Sequence, residues 1–158
     1  MIRVFASGVV MFAGMVSLPS GISPTQTPAQ PSPDYRNDPR LAILNKFFHR
    51  LACPAEKYSA VFLEAADNYA LDWRLLPSLS FVETTGGKAA RNNNFFGWDS
   101  GRAQFPSPAA AIHAVGYRLR HSSLYINKKL DKLLAVYNRD AEYGQKVKSV
   151  MRRISPTE

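Results

Sequence analysis

Beyond residue 38, apolar positions recur along the chain at helical spacing. Leu41, Leu44, Phe48 and Leu51 mark one face of a first helix, opened by Asp38 and Pro39 and ended by Pro54. Tyr58, Val61, Phe62, Ala65 and Tyr69 give a second inward face. A third helix is predicted in "WRLLPSLSFVET", with Asp72 as its N-cap. Pro77 lies a turn inside it and forces a kink or a delayed start, because proline cannot supply a helical N–H. This segment is apolar on nearly every side and so belongs at the centre of the fold. Gly86 and Gly87 stop it, since glycine takes the left-handed conformation that closes helices at little cost.

Residues 92–104 carry no helical period and predict a loop or a very short β-hairpin, turning at "DSG". Ser107 and Pro108 open the next helix, with Ile112, Val115 and Leu119 on one face. Leu130, Leu133, Leu134 and Tyr137 suggest another. In the last, Tyr143, Val147, Val150, Met151 and Ile154 keep strict helical spacing, and Lys146, Lys148, Arg152 and Arg153 hold the polar face. The pattern predicts one mainly α domain over residues 38–155.

The residues before it follow different rules. Arg3 and then an apolar run over residues 4–18 read as an export signal, with small residues near Ser20 and Gly21 as a cleavage site. The run is short of the ~20 residues of a membrane span, so residues 1–20 read as a cleaved signal peptide, with an uncleaved anchor as the alternative. Six of the eleven prolines then crowd residues 19–39, among Ser, Thr, Gln, Gly and Ala. A stretch with so little to bury cannot offset its ordering entropy, and residues 21–37 read as a disordered tether.

A length of 158 residues fits a single domain with a real core. The net charge of +8 points to an anionic partner. Nucleic acid, a membrane surface and an acidic wall polymer all qualify, and charge alone does not choose between them. A nucleic-acid role lacks any recognised motif and conflicts with export. Cys53 is the single cysteine, which excludes an internal disulfide and a cysteine metal cluster, and inert burial is expected for it. His49, His113 and His121 lack metal-ligand spacing, so neither a metal nor a cofactor is expected.

Candidate chemistry gathers in "SFVETTGGKAARNNNFFGW". Glu83 falls in the last turn of the central apolar helix. The negative end of the helix dipole and the loss of water both disfavour its charged form and raise its pKa. A carboxyl group still protonated near neutral pH suits a general acid for glycoside cleavage. Asn92, Asn93 and Asn94 offer donors and acceptors to sugar hydroxyls and acetamido groups, and Phe95, Phe96 and Trp98 offer flat apolar faces. Position and composition leave a second reading open, in which Glu83 is a solvated helix-end residue and the asparagines only form a turn.

The order "LDWRLLPSLSFVETTGGK", "NNNFFGW", "FPSPAAAI" and "YNRDAEYGQKVKSVM" resembles the glucosaminidase-type peptidoglycan hydrolases, lysozyme-like α domains of bacterial autolysins and flagellar assembly proteins. Their pattern is matched by Glu83, Thr84 and Gly86; by Asn93, Asn94, Phe96 and Gly97; by Phe105; and by Tyr137, Asp140 and Tyr143. The resemblance spans residues 69–154. It implies a lysozyme-like helical domain, Glu83 as the catalytic acid, and Thr84, Asn93, Asn94, Phe96, Gly97 and Trp98 as the substrate-binding set. It also implies Tyr137 as an active-site tyrosine, with a core tyrosine as the alternative; Tyr143, on the apolar stripe of the last helix, is read as packing. The partner implied is the peptidoglycan glycan strand, outside the cytoplasmic membrane, met by a monomer that acidic wall polymers could also attract.

Two departures bear on mechanism. The stretch between Gly97 and Phe105 is much shorter than the β-lobe in which many members hold a second carboxylate. Asp99 is the one acid there; it is a candidate second catalytic group, or simply the first residue of the turn. Lytic transglycosylases also place a Glu after an apolar helix, but their Gly-Leu-Met-Gln segment is absent. A catalytically inactive carbohydrate-binding domain of the same fold is the remaining alternative.

Overall fold

A computed structural model describes residues 33–156. The signal-peptide reading of residues 1–20 lies outside the described residues, as does most of the proline-rich stretch. The described chain forms six α-helices and no strand. The mainly α class expected from the pattern is therefore observed.

The fold starts earlier than Asp38. Asp34 caps a 3-10 turn over Tyr35–Asn37, and the buried Tyr35 donates its hydroxyl to Asp67 Oδ2 at 3.0 Å. The tether predicted to run through residue 37 thus ends at least three residues sooner, because one aromatic ring finds a pocket that the local composition did not announce. Helix α1 is Pro39–Arg50, and the Asp38 side chain accepts from the Arg40 N–H at 2.8 Å. Arg40 bridges Asp38 and Asp67, which pins this start to the end of α2, Ser59–Asn68.

Helix α3, Leu75–Thr84, starts later than Asp72. Asp72 instead accepts from the Arg74 N–H at 2.9 Å and pairs with the Arg74 guanidinium, so it organises the turn that precedes the helix. Pro77 then falls in the first turn, where the missing N–H costs nothing. Residues 75–80 are all buried, which fits the central position predicted for them.

Helix α4 is Pro108–His121, and Ser107 Oγ accepts from the Ala110 N–H at 3.1 Å as its cap. Helices α5, Leu130–Tyr137, and α6, Tyr143–Ile154, follow. The α6 stripe of Tyr143, Val147, Val150, Met151 and Ile154 is buried as expected, and it packs chiefly against α3. Helix α4 packs against α2 across Gly116, where a Cβ would lie 2.5 Å from the Tyr69 ring. Helix α1 closes the other side against α2 and α6. The C-terminal end of α3 is thus held among α6, α4 and the loop over residues 85–106.

Candidate functional site around Glu83

Helix α3 ends in a left-handed residue, and that residue is Thr85, with φ 53°. The first left-handed position thus falls one residue before the glycines expected to stop the helix. Gly86 and Gly87 continue the positive-φ turn and send the chain back past its own helix. Thr84 locks this reversal. Its hydroxyl lies 2.8 Å from the Phe95 carbonyl and 3.1 Å from the Ser80 carbonyl, and it accepts from the Gly87 N–H at 3.1 Å.

Glu83 sits one residue before Thr84 and is half-buried. Tyr143, the first residue of α6, donates its hydroxyl to Glu83 Oε1 at 2.6 Å. Oε2 has no hydrogen-bond partner among the described residues. It is not sealed either, because Ser78 Oγ is the one polar side-chain atom there that is both fully buried and unpartnered. Gly97 brings backbone to this oxygen: a Cβ at that position would stand 3.3 Å from Oε2, and the residue has φ +63°. Only glycine combines that backbone angle with that approach.

Burial holds the Glu83 carboxyl above the usual carboxylate range, and the Tyr143 hydrogen bond opposes this by favouring the charged form. Among the described acids, Glu83 and Glu64 have no Lys, Arg or His within ion-pair distance. A buried acid without a cation is expensive, and such groups concentrate at functional sites.

Aromatic residues enclose this carboxyl. The Tyr137 and Tyr143 rings stack at 5.9 Å and 13°. Trp98 donates its indole N–H to the Tyr137 hydroxyl at 3.2 Å. Burial first, and then the nearby Glu83 charge, pushes the Tyr137 phenol well above its ordinary value. Burial does the same to Tyr143, and both phenols stay protonated as hydrogen-bond donors. Tyr125, from the loop between α4 and α5, leans on Tyr137 with ring centroids 6.4 Å apart. The Arg118 guanidinium lies over the Trp98 ring, 5.2 Å from its centroid.

The other residues expected to bind substrate are divided by their surroundings. Asn94 is buried and holds the loop: its Nδ2 donates to the Trp98 carbonyl at 2.8 Å and its Oδ1 accepts from the Trp98 N–H at 3.0 Å. Phe95 and Phe96 are buried in the core and offer no face to a sugar. Asn93 is exposed but donates to the Phe105 carbonyl at 2.8 Å. Thr84 is committed to backbone. Glu83, Gly97, Trp98 and Tyr137 do come together. Asp99 is turned to Arg102 in an exposed ion pair of 2.7 Å, at a turn where Asp99 and Ser100 both have positive φ. No strand forms here; the loop is held by the Asn93 and Asn94 side chains together with backbone bonds such as Phe105 N–H to the Asn92 carbonyl at 3.1 Å.

Tyr143, Arg118 and Tyr125 were not singled out for this site by the sequence. For Tyr143 a signal exists: it is the polar-tipped residue at one end of the aliphatic stripe that faces α3. Arg118 and Tyr125 carry none. A cavity of about 310 Å³ between α1 and α6, edged by Ile43, Phe47, Arg50 and Arg153, does not include Glu83. No group of His, Cys, Asp and Glu among the described residues could hold a metal ion. No family model matches this chain, and no match is found among curated proteins.

Proposed function

We propose that this protein is an exported glycoside hydrolase that cleaves peptidoglycan glycan strands, with Glu83 as the general acid. The observation that carries the reading is the state of Glu83: a half-buried carboxyl with no cation beside it, one oxygen held by Tyr143 and the other left open. Burial keeps the proton on the acid until a leaving oxygen needs it, and the fixed Tyr143 bond orients the group that carries it. The order of motifs shared with glucosaminidase-type hydrolases supports glycan as the substrate and β-N-acetylglucosaminidase action as the reaction.

Asp99 is paired with Arg102, and no acid among the described residues contributes to the shift of Glu83. That favours a substrate-assisted course, in which the neighbouring acetamido group or a sugar hydroxyl attacks, over a second carboxylate. Purified peptidoglycan embedded in a gel tests the assignment. Wild type should clear it, and Glu83→Gln should lose roughly 100-fold or more of the activity. No clearing by wild type, or equal clearing by the variant, removes the proposal. Mass spectrometry of the new ends separates the products. Reducing N-acetylglucosamine marks a glucosaminidase, reducing muramic acid a muramidase, and anhydro-muramic ends a lytic transglycosylase.

A further inference from the structure

We propose that Arg118 is a carboxylate-binding residue at the edge of the Glu83 site, so that the glycan accepted there is one carrying an acidic group. The inference rests on the reading of Glu83 as the centre of a glycan site and names a chemical feature of its substrate.

Arg118 projects from α4. Its guanidinium lies over Trp98, whose indole N–H is already given to Tyr137. Tyr137 stacks on Tyr143, and Tyr143 holds Glu83. Four contacts therefore lead from Arg118 to the carboxyl. Its positive charge also acts on Tyr125 and Tyr137, where it opposes the effect of burial. It is not among the causes that shift Glu83, so it does not set the state of that proton.

Arg118 is exposed and, like several other arginines of the described residues, forms no ion pair or side-chain hydrogen bond there; it is the one that lies over a ring of the Glu83 enclosure. An arginine whose charge lies over an aromatic ring needs no anion to hold it there, and its fork of N–H donors matches a carboxylate in two parallel bonds. A cation over Trp98, at the outer edge of the aromatic enclosure around Glu83, suits a sugar that carries a carboxylate. The lactyl carboxylate of a muramic acid residue whose peptide has been removed has that chemistry.

Calorimetry with the full chain carrying Glu83→Gln, which keeps the strand intact, tests this. The probes are peptide-free peptidoglycan strands, and the same strands after carbodiimide coupling to methylamine, which turns each carboxylate into a neutral amide. The acidic strands should bind about tenfold more tightly than the amidated ones, the size of one charge-assisted contact. Adding Arg118→Gln should bring that ratio close to one, and Arg118→Lys should keep part of it. Arg152→Gln removes the same charge from the exposed face of α6 and should keep the ratio. The inference is overturned if the ratio survives Arg118→Gln, if Arg152→Gln lowers it as much, or if neither strand is preferred. These outcomes are read without turnover, so a failure of wild type to cut strands counts against the assignment of Glu83 alone.

Discussion

At the scale of single residues, Glu83 is set by two opposed influences. Removal from water raises its pKa, and the Tyr143 hydroxyl, 2.6 Å away, lowers it by binding the charged form better. Tyr143→Phe deletes the second influence and leaves the first, so the carboxyl should titrate at a higher pH than in wild type. If Glu83 must be protonated for turnover, the alkaline limb of the activity profile should move up in pH with it. Carboxyl-carbon NMR of Glu83 across a pH series gives the same answer without substrate; an unmoved or lowered midpoint would show that the bond does not act as described. The acid was legible in the sequence because a lone carboxylate after an apolar run is costly and stands out. Tyr143 was read as packing, since helical spacing tells which side of α6 is buried but not which atom waits across the interface. Here that atom is a carboxylate oxygen at the end of α3.

At the scale of elements, the site depends on how α3 ends. Thr84, itself buried, fastens the last turn to the returning loop through Phe95 and Gly87. Thr84→Val keeps the shape but strands the buried Phe95 carbonyl and the part-buried Gly87 N–H, and should cost roughly 1–3 kcal/mol in a denaturant titration. Thr84→Ser keeps the hydroxyl and should recover most of that. Equal stability of the valine variant would mean the hydroxyl does not hold the loop. Helix starts at Asp38 and Ser107 were legible because a cap is a local bargain between one side chain and the next few N–H groups. The loop was not. Asparagine amides serve a sugar or a backbone equally well, and in this loop Asn93 and Asn94 bond to the carbonyls of Phe105 and Trp98. Whether an amide faces inward depends on a carbonyl several residues away, which no local pattern reports.

At the scale of the whole molecule, the site exacts a stability cost that depends on pH. The folded-state pKa of Glu83 lies above its ordinary 4.5, so the folded protein binds this proton more tightly than the unfolded chain. The contribution of that group to stability is complete below the unfolded value and is lost as pH rises through the folded one. Glu83→Gln removes the charge while leaving an oxygen for Tyr143. It should therefore melt higher than wild type near neutral pH, because the variant has no charge to take out of water. The gain should vanish below about pH 4.5. Thermal melts of both proteins at acid and neutral pH decide it: a gain that persists unchanged in acid would mean that Glu83 carries no desolvation cost.

What the sequence determined by itself was periodic or local. The helical spacing, the caps and the apolar stripe of α6 predicted a mainly α domain with α3 at its centre, because periodicity and capping are settled within a few residues. The one conspicuous acid followed from the same reasoning. Tertiary structure decided what Glu83 meets: Tyr143 from sixty residues away, Gly97 beneath one oxygen, and Tyr137, Trp98 and Arg118 in a chain around it. It also turned Phe95 and Phe96 into the core and Asp99 toward Arg102. The reason is that helices carry their faces in their spacing, whereas a site at the junction of a helix end, a loop and two further helices exists only once those elements have packed.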